Sequence, residues 1–495
     1  MTSSEATSAA PAAAASRGEL PHDGWVAVVK EDCPTCRLVV PVLRQMRDAG
    51  VPLTVVSQDE PAFPEGAGAV DDRELAISWR LGVEAVPTLF RLEQGVVSSR
   101  HVGWNREEWR RASGLEHLGA DLPEARPGCG SRTTEPGMEE RLRLRFEPGA
   151  LASRRVEIGA GEDPIEACFA RGWTDGLPVV PPTPERVERM LGGTRRDRRE
   201  VVAIVPPDLV ECSVEKVAVN VVMAGCLPEH LPVVLAAVEA ACTDTFNMHG
   251  ILATTMSVGP IVIVNGPIRR RIGMNSGVNV LGQGNRANAA IGRALQLVVR
   301  NVGGGRPGGV DRAALGNPGK YTFCFAEDEE GSPWEPLSVE RGMAPGVSAV
   351  TLFGGEGPRV VVDQLSREPD SLARSIAGAI VAMMHPKLAL FFDVLLVVSP
   401  EHARVFAQAE WSKRQVREAI LEHTVRPGAE LLRGAGGIAE GMPPQFAAAP
   451  KVPKLQADGL LIVHAGGKAG LFSALIGGWG RGAGGTLPVT REVQS

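Results

Sequence analysis

The most reactive residue types of this chain stand close together in EDCPTC (31–36). Cys33 and Cys36 follow GWVAVVK (24–30), a short apolar run typical of a buried strand. The next segment, RLVVPVLRQMRDAG (37–50), has helical apolar spacing, so Cys33 is predicted at a helix N-terminus. Unpaired N–H groups and the helix dipole favour a thiolate there, and a second thiol one turn later can resolve a mixed disulfide.

A CxxC pair can also be half of a zinc site, or two inert buried thiols. A four-ligand zinc site needs a second ligand pair, and the sequence holds no other CxxC and no HxxxH. We therefore expect a redox dithiol, no metal, and no other cofactor with a clear sequence signature.

The string VPT (86–88) supplies a second signal, because it stands just before a predicted β-hairpin. A cis X–Pro bond that faces a dithiol leaves neighbouring backbone groups free to pair with a bound polypeptide. Around these two signals the pattern predicts the order β-CxxC-α-β-α-β-β-α in about 95 residues.

Both signals together resemble the thioredoxin superfamily over residues 20–118. The resemblance implies a thioredoxin-like fold with Cys33 as nucleophile, Cys36 as resolving thiol and Pro87 as the cis-proline. The sequence departs from the usual Trp-Cys-Gly-Pro-Cys motif, since Asp32 precedes the first cysteine. The charge of Asp32 disfavours a thiolate at its neighbour.

The pattern of elements dissolves after this region, and helix and strand candidates return from about residue 156. Together with the domain that the resemblance implies, this predicts an α/β chain with an N-terminal thioredoxin-like domain and a larger α/β domain of uncertain topology. The expected divisions are a disordered tail (1–19), the thioredoxin-like domain (20–118), an interdomain linker with some local structure (119–155) and the large domain (156–495).

PGCGSRT (127–133) places Cys129 between glycines in the predicted linker. A mobile thiol there could form a mixed disulfide with Cys33 or pass electrons onward. The alternative interpretation is an incidental surface cysteine.

Two further cysteines are candidate catalytic residues in the large domain. Cys226 stands at a predicted helix-to-helix junction close to Glu229 and His230, an arrangement that could activate a nucleophile. Cys324 lies in a short β-like run before the acidic residues 327–330. The alternatives are buried cysteines, and an acidic run that binds a metal or, as we favour, forms a solvated turn.

Polar residues interleaved with glycines are costly in a core unless they are paired, so they suit the lining of a polar-ligand site. Candidate substrate-binding residues are Asp175, His249, Asn265, Asn275, Asn279 and Arg286. GQGNRANAAIGRA is predicted to lead into a helix, and IVHAGGKAGLFSALIGGW (462–479) is predicted as strand, glycine-rich turn and helix. Neither string matches a phosphate-loop or dinucleotide fingerprint.

Three strings in this region resemble a large bacterial family of unassigned function. They are TDGLPVVPPT, NVVMAGCLPEHLPVVLAAVEA and NPGKYTFCFAEDEEGSPWEPL, and the resemblance covers about 165–480. Members occur alone or with thioredoxin-like or selenocysteine-containing partners, which favours a thiol-linked redox role. The resemblance supplies no catalytic residues.

Bulk properties exclude several other classes of protein. The net charge of −6 leaves no basic footprint for nucleic acid, and no window of about 18 apolar residues predicts a membrane span. The N-terminus lacks the features of a signal peptide, so we expect a cytoplasmic protein.

These observations predict a thiol–disulfide oxidoreductase whose CPTC dithiol supplies electrons to a reductive or thiol-dependent reaction in the large domain. The expected partners are a small-molecule substrate and a thiol reductase or another redox protein. One alternative is a non-redox lyase or transferase that is kept reduced by its thioredoxin-like domain. Another is a reductant that is targeted to partner proteins by a binding module.

Overall fold

The computed structural model describes residues 20–147, 151–159, 161–482 and 484–494. The chain divides into two compact units, Met1–Val156 and Glu157–Ser495, and each combines helices with sheets. The α/β class is therefore confirmed. The predicted tail, 1–19, lies outside the described residues.

Unit 1 contains nine short strands and four helices in the described residues. The strands are β1 (Gly24–Val29), β2 (Leu53–Ser57), β3 (Val70–Asp71), β4 (Ala85–Val86), β5 (Thr88–Glu93), β6 (Val96–Val102), β7 (Trp104–Asn105), β8 (Ala125–Arg126) and β9 (Cys129–Gly130). The helices are α1 (Pro34–Asp48), α2 (Ala76–Arg80), α3 (Arg106–Ser113) and α4 (Met138–Phe146).

A five-stranded sheet in the order β3-β2-β1-β5-β6 forms the centre of unit 1. Strand β1 is parallel to β2 and antiparallel to β5. All six residues of β1 are buried, because side chains from both faces of the sheet pack into one apolar cluster that also contains Cys33 and Cys36. The dithiol is therefore part of the apolar core of unit 1.

The segment predicted as a linker differs from that expectation, because much of it belongs to unit 1. Strand β8 pairs with β7, and β9 pairs with β4. The indole N–H of Trp104 donates to the carbonyl of Pro123 over 2.7 Å. Backbone pairing and buried hydrogen bonds outweigh the glycine and proline content that predicted a mobile connection.

Unit 2 contains twelve helices and ten strands in the described residues. The helices are α5 (Pro164–Ala170), α6 (Pro184–Leu191), α7 (Val214–Met223), α8 (Leu231–Ala241), α9 (Met248–Ala253), α10 (Ile268–Arg271), α11 (Arg286–Asn301), α12 (Leu337–Glu340), α13 (Pro369–Val381), α14 (Pro400–Gln408), α15 (Lys413–His423) and α16 (Gly428–Leu431). The strands are β10 (Val201–Val205), β11 (Val210–Ser213), β12 (Gly259–Asn265), β13 (Cys324–Ala326), β14 (Ala349–Gly355), β15 (Arg359–Val362), β16 (Phe392–Val398), β17 (Leu460–His464), β18 (Phe472–Gly480) and β19 (Val489–Glu492).

An eight-stranded sheet organises unit 2. Its main order is β13-β12-β14-β18-β16-β17, with β15 paired to β18 and β19 paired to β14. The backbone N–H of Asp328 donates to the carbonyl of His464 over 2.8 Å, so the edge strands β13 and β17 meet at their carboxyl ends. Side chains from β12, β13, β14, β16, β17 and β18 share one apolar cluster.

One element of unit 2 contradicts its prediction. Residues 472–480, expected to be helical, form β18, which pairs with β15 on one side and β16 on the other. Pairing with β15 and β16 outweighs the helical preference that the local sequence suggests for β18. No helix in the described ranges has the length and apolar character needed to cross a bilayer.

Buried hydrogen bonds of Gln58 connect Ser131 and Arg132, in the segment predicted as a linker, to the rest of unit 1. The amide of Gln58 donates to the hydroxyls of Ser78 and Ser131, each over 2.8 Å, and accepts from the backbone N–H of Arg132.

We expect Gln58→Leu to lower the free energy of unfolding of unit 1 by about 2–4 kcal/mol, since each buried polar group left unpaired costs about 1–3 kcal/mol. Urea denaturation measures the loss. The exposed Gln94, changed to Asn, is the control, and equal stability of both variants would contradict the assignment.

Candidate thiol site and the polar cluster of unit 2

Cys33 lies where β1 gives way to α1, and it is the N-cap residue of that helix. Its Sγ accepts a hydrogen bond from the backbone N–H of Cys36 over 3.4 Å, while Pro34 occupies the first helical position, where no N–H is needed. The thiol is 1% exposed. The local sequence thus places the sulfur of Cys33 beside the first backbone N–H groups of α1, which have no partner within the helix.

The electrostatics of the two CPTC thiols differ in sign. A hydrogen bond from the Cys36 thiol is the largest influence on Cys33 and lowers its pKa to about 5; burial opposes this, and the contact with Cys129 adds to it. Burial raises the pKa of the Cys36 thiol, and its hydrogen bond to Cys33 raises it further. The pair therefore consists of a thiolate at Cys33 and a protonated neighbour.

The expected penalty from Asp32 is offset by its surroundings. Its carboxylate lies 3.1 Å from Nζ of Lys30 and is largely exposed to water. Lys30 lies close enough to Cys33 that their charges interact favourably. Screening by water and by this lysine explains why the acidic neighbour does not prevent a lowered pKa at the thiol.

The peptide bond between Val86 and Pro87 is cis, and it stands beside the dithiol. The Sγ of Cys33 lies 3.4 Å from the carbonyl oxygen of Val86. Pro87 therefore follows a cis peptide bond next to Cys33, while the roles that the resemblance implies for both residues stay predictions.

The third thiol of the site, Cys129, comes from the segment predicted as a linker. Its Sγ lies 2.6 Å from Sγ of Cys33, and all eight cysteines of the chain are free thiols. Burial raises the pKa of Cys129, and the contact with Cys33 adds to that increase. The structure therefore brings together four of the predicted residues, Cys33, Cys36, Pro87 and Cys129. Of the two glycines beside Cys129, only Gly128 stands at a close backbone approach.

Cys226 and Cys324 have a different environment in unit 2. Burial raises the pKa of Cys226 to about 12 against the opposing charge of Arg286, and burial also raises the pKa of Cys324. His230 is buried and accepts a hydrogen bond from the backbone N–H of Leu227. Neither thiol has the features of an activated nucleophile, so their catalytic roles stay predictions.

The six predicted binding residues are tied to different neighbours. Asp175 receives two hydrogen bonds from Arg293, at 2.7 and 2.8 Å. Burial raises the pKa of this carboxyl, but the hydrogen bonds and charge of Arg293 outweigh burial and leave the pKa below its ordinary value. Arg286 donates to the carbonyl of Gly225 over 2.9 Å, and His249 is exposed on α9.

The three predicted asparagines brace the backbone or other side chains. Asn275 donates to the carbonyl of Val278 over 2.9 Å, and Asn279 donates to that of Gln283 over 2.7 Å. Asn265, at the end of β12, is fully buried. A shared ligand site for all six residues therefore stays a prediction.

The acidic run 327–330 contradicts the expected solvated turn. Glu327 is fully buried, and its Oε2 accepts hydrogen bonds from Asn265 over 2.7 Å and from the backbone N–H of Leu337 over 2.8 Å. Arg269, which the sequence analysis missed, forms ion pairs with Glu329 and Glu330, each at 2.9 Å. Pairing with this buried arginine explains why Glu329 is largely buried, whereas the side chain of Glu330 is 44% exposed. In the described residues, no group of three or more His, Cys, Asp or Glu side chains has the arrangement of a metal site.

Three buried polar atoms near the carboxyl ends of β12, β13 and β17 have no hydrogen-bond partner in the described part of the chain. They are Oδ1 of Asn265, Oε1 of Glu327 and Nε2 of His464. Buried polar atoms normally form hydrogen bonds, so this end of the sheet has three buried groups that are available to bind a further partner.

Comparison with known proteins adds no family assignment. No protein-family model matches the chain, and no curated protein matches it either.

The lowered pKa of Cys33 gives a direct kinetic expectation. Alkylation of Cys33 by iodoacetamide should be slow well below pH 5, where the thiol is protonated, half-maximal near pH 5, and nearly constant once the pH is about one to two units higher. Cys36→Ala removes the hydrogen bond that lowers the pKa most, so the midpoint should rise. Mass spectrometry of the modified peptide measures the rate. The control variant, Cys242→Ala, should keep the wild-type midpoint. A rate that climbs up to about pH 8.5, as for an ordinary thiol, would contradict the assignment.

The buried carboxyl of Glu327 predicts a pH dependence of stability in unit 2. Burial raises its pKa in the folded protein above the ordinary 4.5, so the unfolded chain releases this proton first as the pH rises. The free energy of unfolding should therefore fall as the pH increases above 4.5. Glu327→Gln should flatten this fall in denaturation experiments at several pH values, whereas the exposed Glu335→Gln should keep it. Identical slopes in both variants would refute the expectation.

Proposed function

We propose that the chain is a thiol–disulfide oxidoreductase with Cys33 as its nucleophile. The observation that carries the proposal is the environment of this thiol, at the N-terminus of a helix, beside Cys36, with a lowered pKa. A low-pKa thiol is reactive at neutral pH, and a neighbouring thiol can release the product.

The topology of unit 1 supports the resemblance to the thioredoxin superfamily. The order β3-β2-β1-β5-β6, with β1 parallel to β2 and antiparallel to β5, surrounds a CxxC at the start of α1. The cis bond before Pro87 stands beside the thiol. In the proposed reaction the backbone of β4, just before this proline, pairs with the substrate chain.

The proposed reaction is a two-electron exchange. The Cys33 thiolate attacks one sulfur of a substrate disulfide, forms a mixed disulfide and releases the other sulfur as a thiolate. Attack by a second thiol of unit 1 on the Cys33 sulfur releases the remaining substrate thiolate. The two substrate sulfurs gain two electrons; one proton comes from the second enzyme thiol and the other from water. The enzyme is left with one disulfide, which an external dithiol reductant must reduce again.

Unit 2 is the proposed recipient of this reducing power. Fusion in one chain raises the effective concentration of the reductant, which favours transfer to a unit 2 substrate over transfer to freely diffusing molecules. The proposed partners are a small-molecule substrate for unit 2 and a thiol reductase for unit 1, in the cytoplasm.

One observation favours a second candidate for unit 2. Cys226 and Cys324 are buried with raised pKa values, which suits a non-redox lyase or transferase better than a thiol relay. In that case unit 1 keeps thiols reduced, and Cys33→Ser loses activity only when no reductant is added.

Variants of the full chain test the proposed reaction. Cys33→Ser should abolish reduction of dipyridyl disulfide at neutral pH, because no other described thiol has a strongly lowered pKa. Cys242→Ser should keep the wild-type rate. Absorbance of the released pyridinethione measures both. A Cys33→Ser protein with the wild-type rate would exclude Cys33 as the nucleophile.

A further inference from the structure

The segment 127–131 lies along the edge of unit 1 that a polypeptide substrate would need. Strand β9 pairs antiparallel with β4, with Cys129 opposite Val86 and Gly130 opposite Ala85. Addition of a strand to a free edge is a general mode of polypeptide binding. Here the added strand comes from the same chain.

Further contacts fix this segment beyond the two paired residues. The hydroxyl of Thr35, inside the CPTC motif, donates to the carbonyl of Pro127 over 2.8 Å. The backbone N–H of Ser131 donates to the carbonyl of Glu84 over 2.9 Å. The segment is therefore anchored at both ends, with Cys129 between the anchors.

The glycine at position 128 permits this close approach. A β-carbon on Gly128 would lie 2.9 Å from the carbonyl oxygen of Val86, a backbone atom that cannot move aside freely. A β-carbon on Gly130 would meet nothing closer than Oγ1 of Thr134, at 3.7 Å. Neither glycine has a positive φ, so alanine is conformationally acceptable at both positions.

The docked segment restricts access to the nucleophile. Cys33 is 1% exposed, and Sγ of Cys129 lies against it at 2.6 Å. A polypeptide that uses the β4 edge must displace the segment first. Its apparent rate of reaction is then reduced by the fraction of molecules in which the segment is undocked.

We propose that residues 127–131 are a tethered strand that occupies the polypeptide-binding edge beside Cys33, and that Cys129 is the thiol that resolves mixed disulfides when this strand docks. The inference rests on the proposed function, since it assigns the gate and the second thiol of the same site. Return of the strand expels the substrate from β4 and delivers the resolving sulfur in one movement.

The resolving step is balanced without any further reagent. The Cys129 thiol loses its proton, and its sulfur attacks the Cys33 sulfur of the mixed disulfide. A bond forms between the sulfurs of Cys33 and Cys129 as the bond from Cys33 to the substrate sulfur breaks. The substrate leaves as a thiolate and takes up the proton.

Cys129 suits this step better than Cys36. It is partly exposed, whereas Cys36 is fully buried. Thiolate formation is the condition for attack, and water access favours it. Cys36 then acts mainly as the hydrogen-bond donor that stabilises the Cys33 thiolate.

The test compares full-chain Gly128→Ala with the matched Gly130→Ala. The probe is a short synthetic peptide whose single cysteine is activated as its pyridyl disulfide, and pyridinethione release gives the rate. Gly128→Ala should react at least about tenfold faster than wild type, the factor that corresponds to about 1.4 kcal/mol of lost docking. Gly130→Ala should react at the wild-type rate. Thr35→Val, which removes the anchor at Pro127 without adding bulk at the edge, should give a smaller increase.

Disulfide mapping completes the test and separates the two proposals. After the peptide reaction, Cys36→Ser protein should contain a Cys33–Cys129 disulfide, and the double variant with Gly128→Ala should contain the trapped peptide at Cys33 instead. Equal peptide rates in wild type, Gly128→Ala and Thr35→Val, or an absent Cys33–Cys129 bond, would overturn the tethered strand while dipyridyl disulfide is still reduced. Loss of that small-probe reaction from the wild-type protein would instead overturn the proposed function.

Discussion

Stabilisation of a buried thiolate is the constraint on which the rest of unit 1 depends. A charged sulfur that is 1% exposed is costly unless donors surround it. These donors come from separated parts of the chain: the backbone and thiol of Cys36 on α1, and the thiol of Cys129 on β9. The low pKa of Cys33 therefore depends both on the N-terminus of α1 and on the pairing of β9 with β4, which holds Cys129 in place.

In unit 2, three carboxylates of the acidic run 327–330 are bound by side chains and backbone groups of other segments. Arg269 neutralises Glu329 and Glu330, while Asn265 and a backbone amide bind one oxygen of Glu327. The other oxygen of Glu327 remains without a partner among the described atoms. Buried atoms of Asn265, Glu327 and His464 that have no partner in the described ranges thus lie where β12, β13 and β17 end, whereas burial raises the pKa of the unit 2 thiols Cys226 and Cys324. This contrast supports the proposal that thiol exchange takes place in unit 1.

Local patterns predicted the parts of the fold that depend on local chemistry. The position of Cys33 at a helix N-terminus follows from an apolar run, two cysteines and Pro34, all within a short stretch of sequence. The helix that GQGNRANAAIGRA is predicted to lead into is α11, at Arg286–Asn301. The class of the chain followed from many such elements together.

Features that depend on distant partners were not predictable in the same way. Strand β18 forms because β15 and β16 need a neighbour, although its sequence also suits a helix. Glu327 is buried because Asn265 and the backbone N–H of Leu337 bind its carboxylate, and Glu329 pairs with Arg269, which is far away in sequence. Docking of Cys129 depends on backbone space at Gly128, and a glycine in a polar, proline-rich stretch is equally typical of a mobile connection. Only the position of the Val86 backbone in the folded structure distinguishes a close approach at Gly128 from a mobile connection.

The most direct test of the central claim is a redox titration of the full chain in glutathione buffers, with every disulfide assigned by mass spectrometry. We expect Cys33 to belong to the first disulfide formed within the chain, with Cys129 or Cys36 as its partner, while the five cysteines of unit 2 remain thiols. First oxidation among the unit 2 cysteines, with Cys33 still a free thiol, would show that Cys33 is not the redox-active thiol.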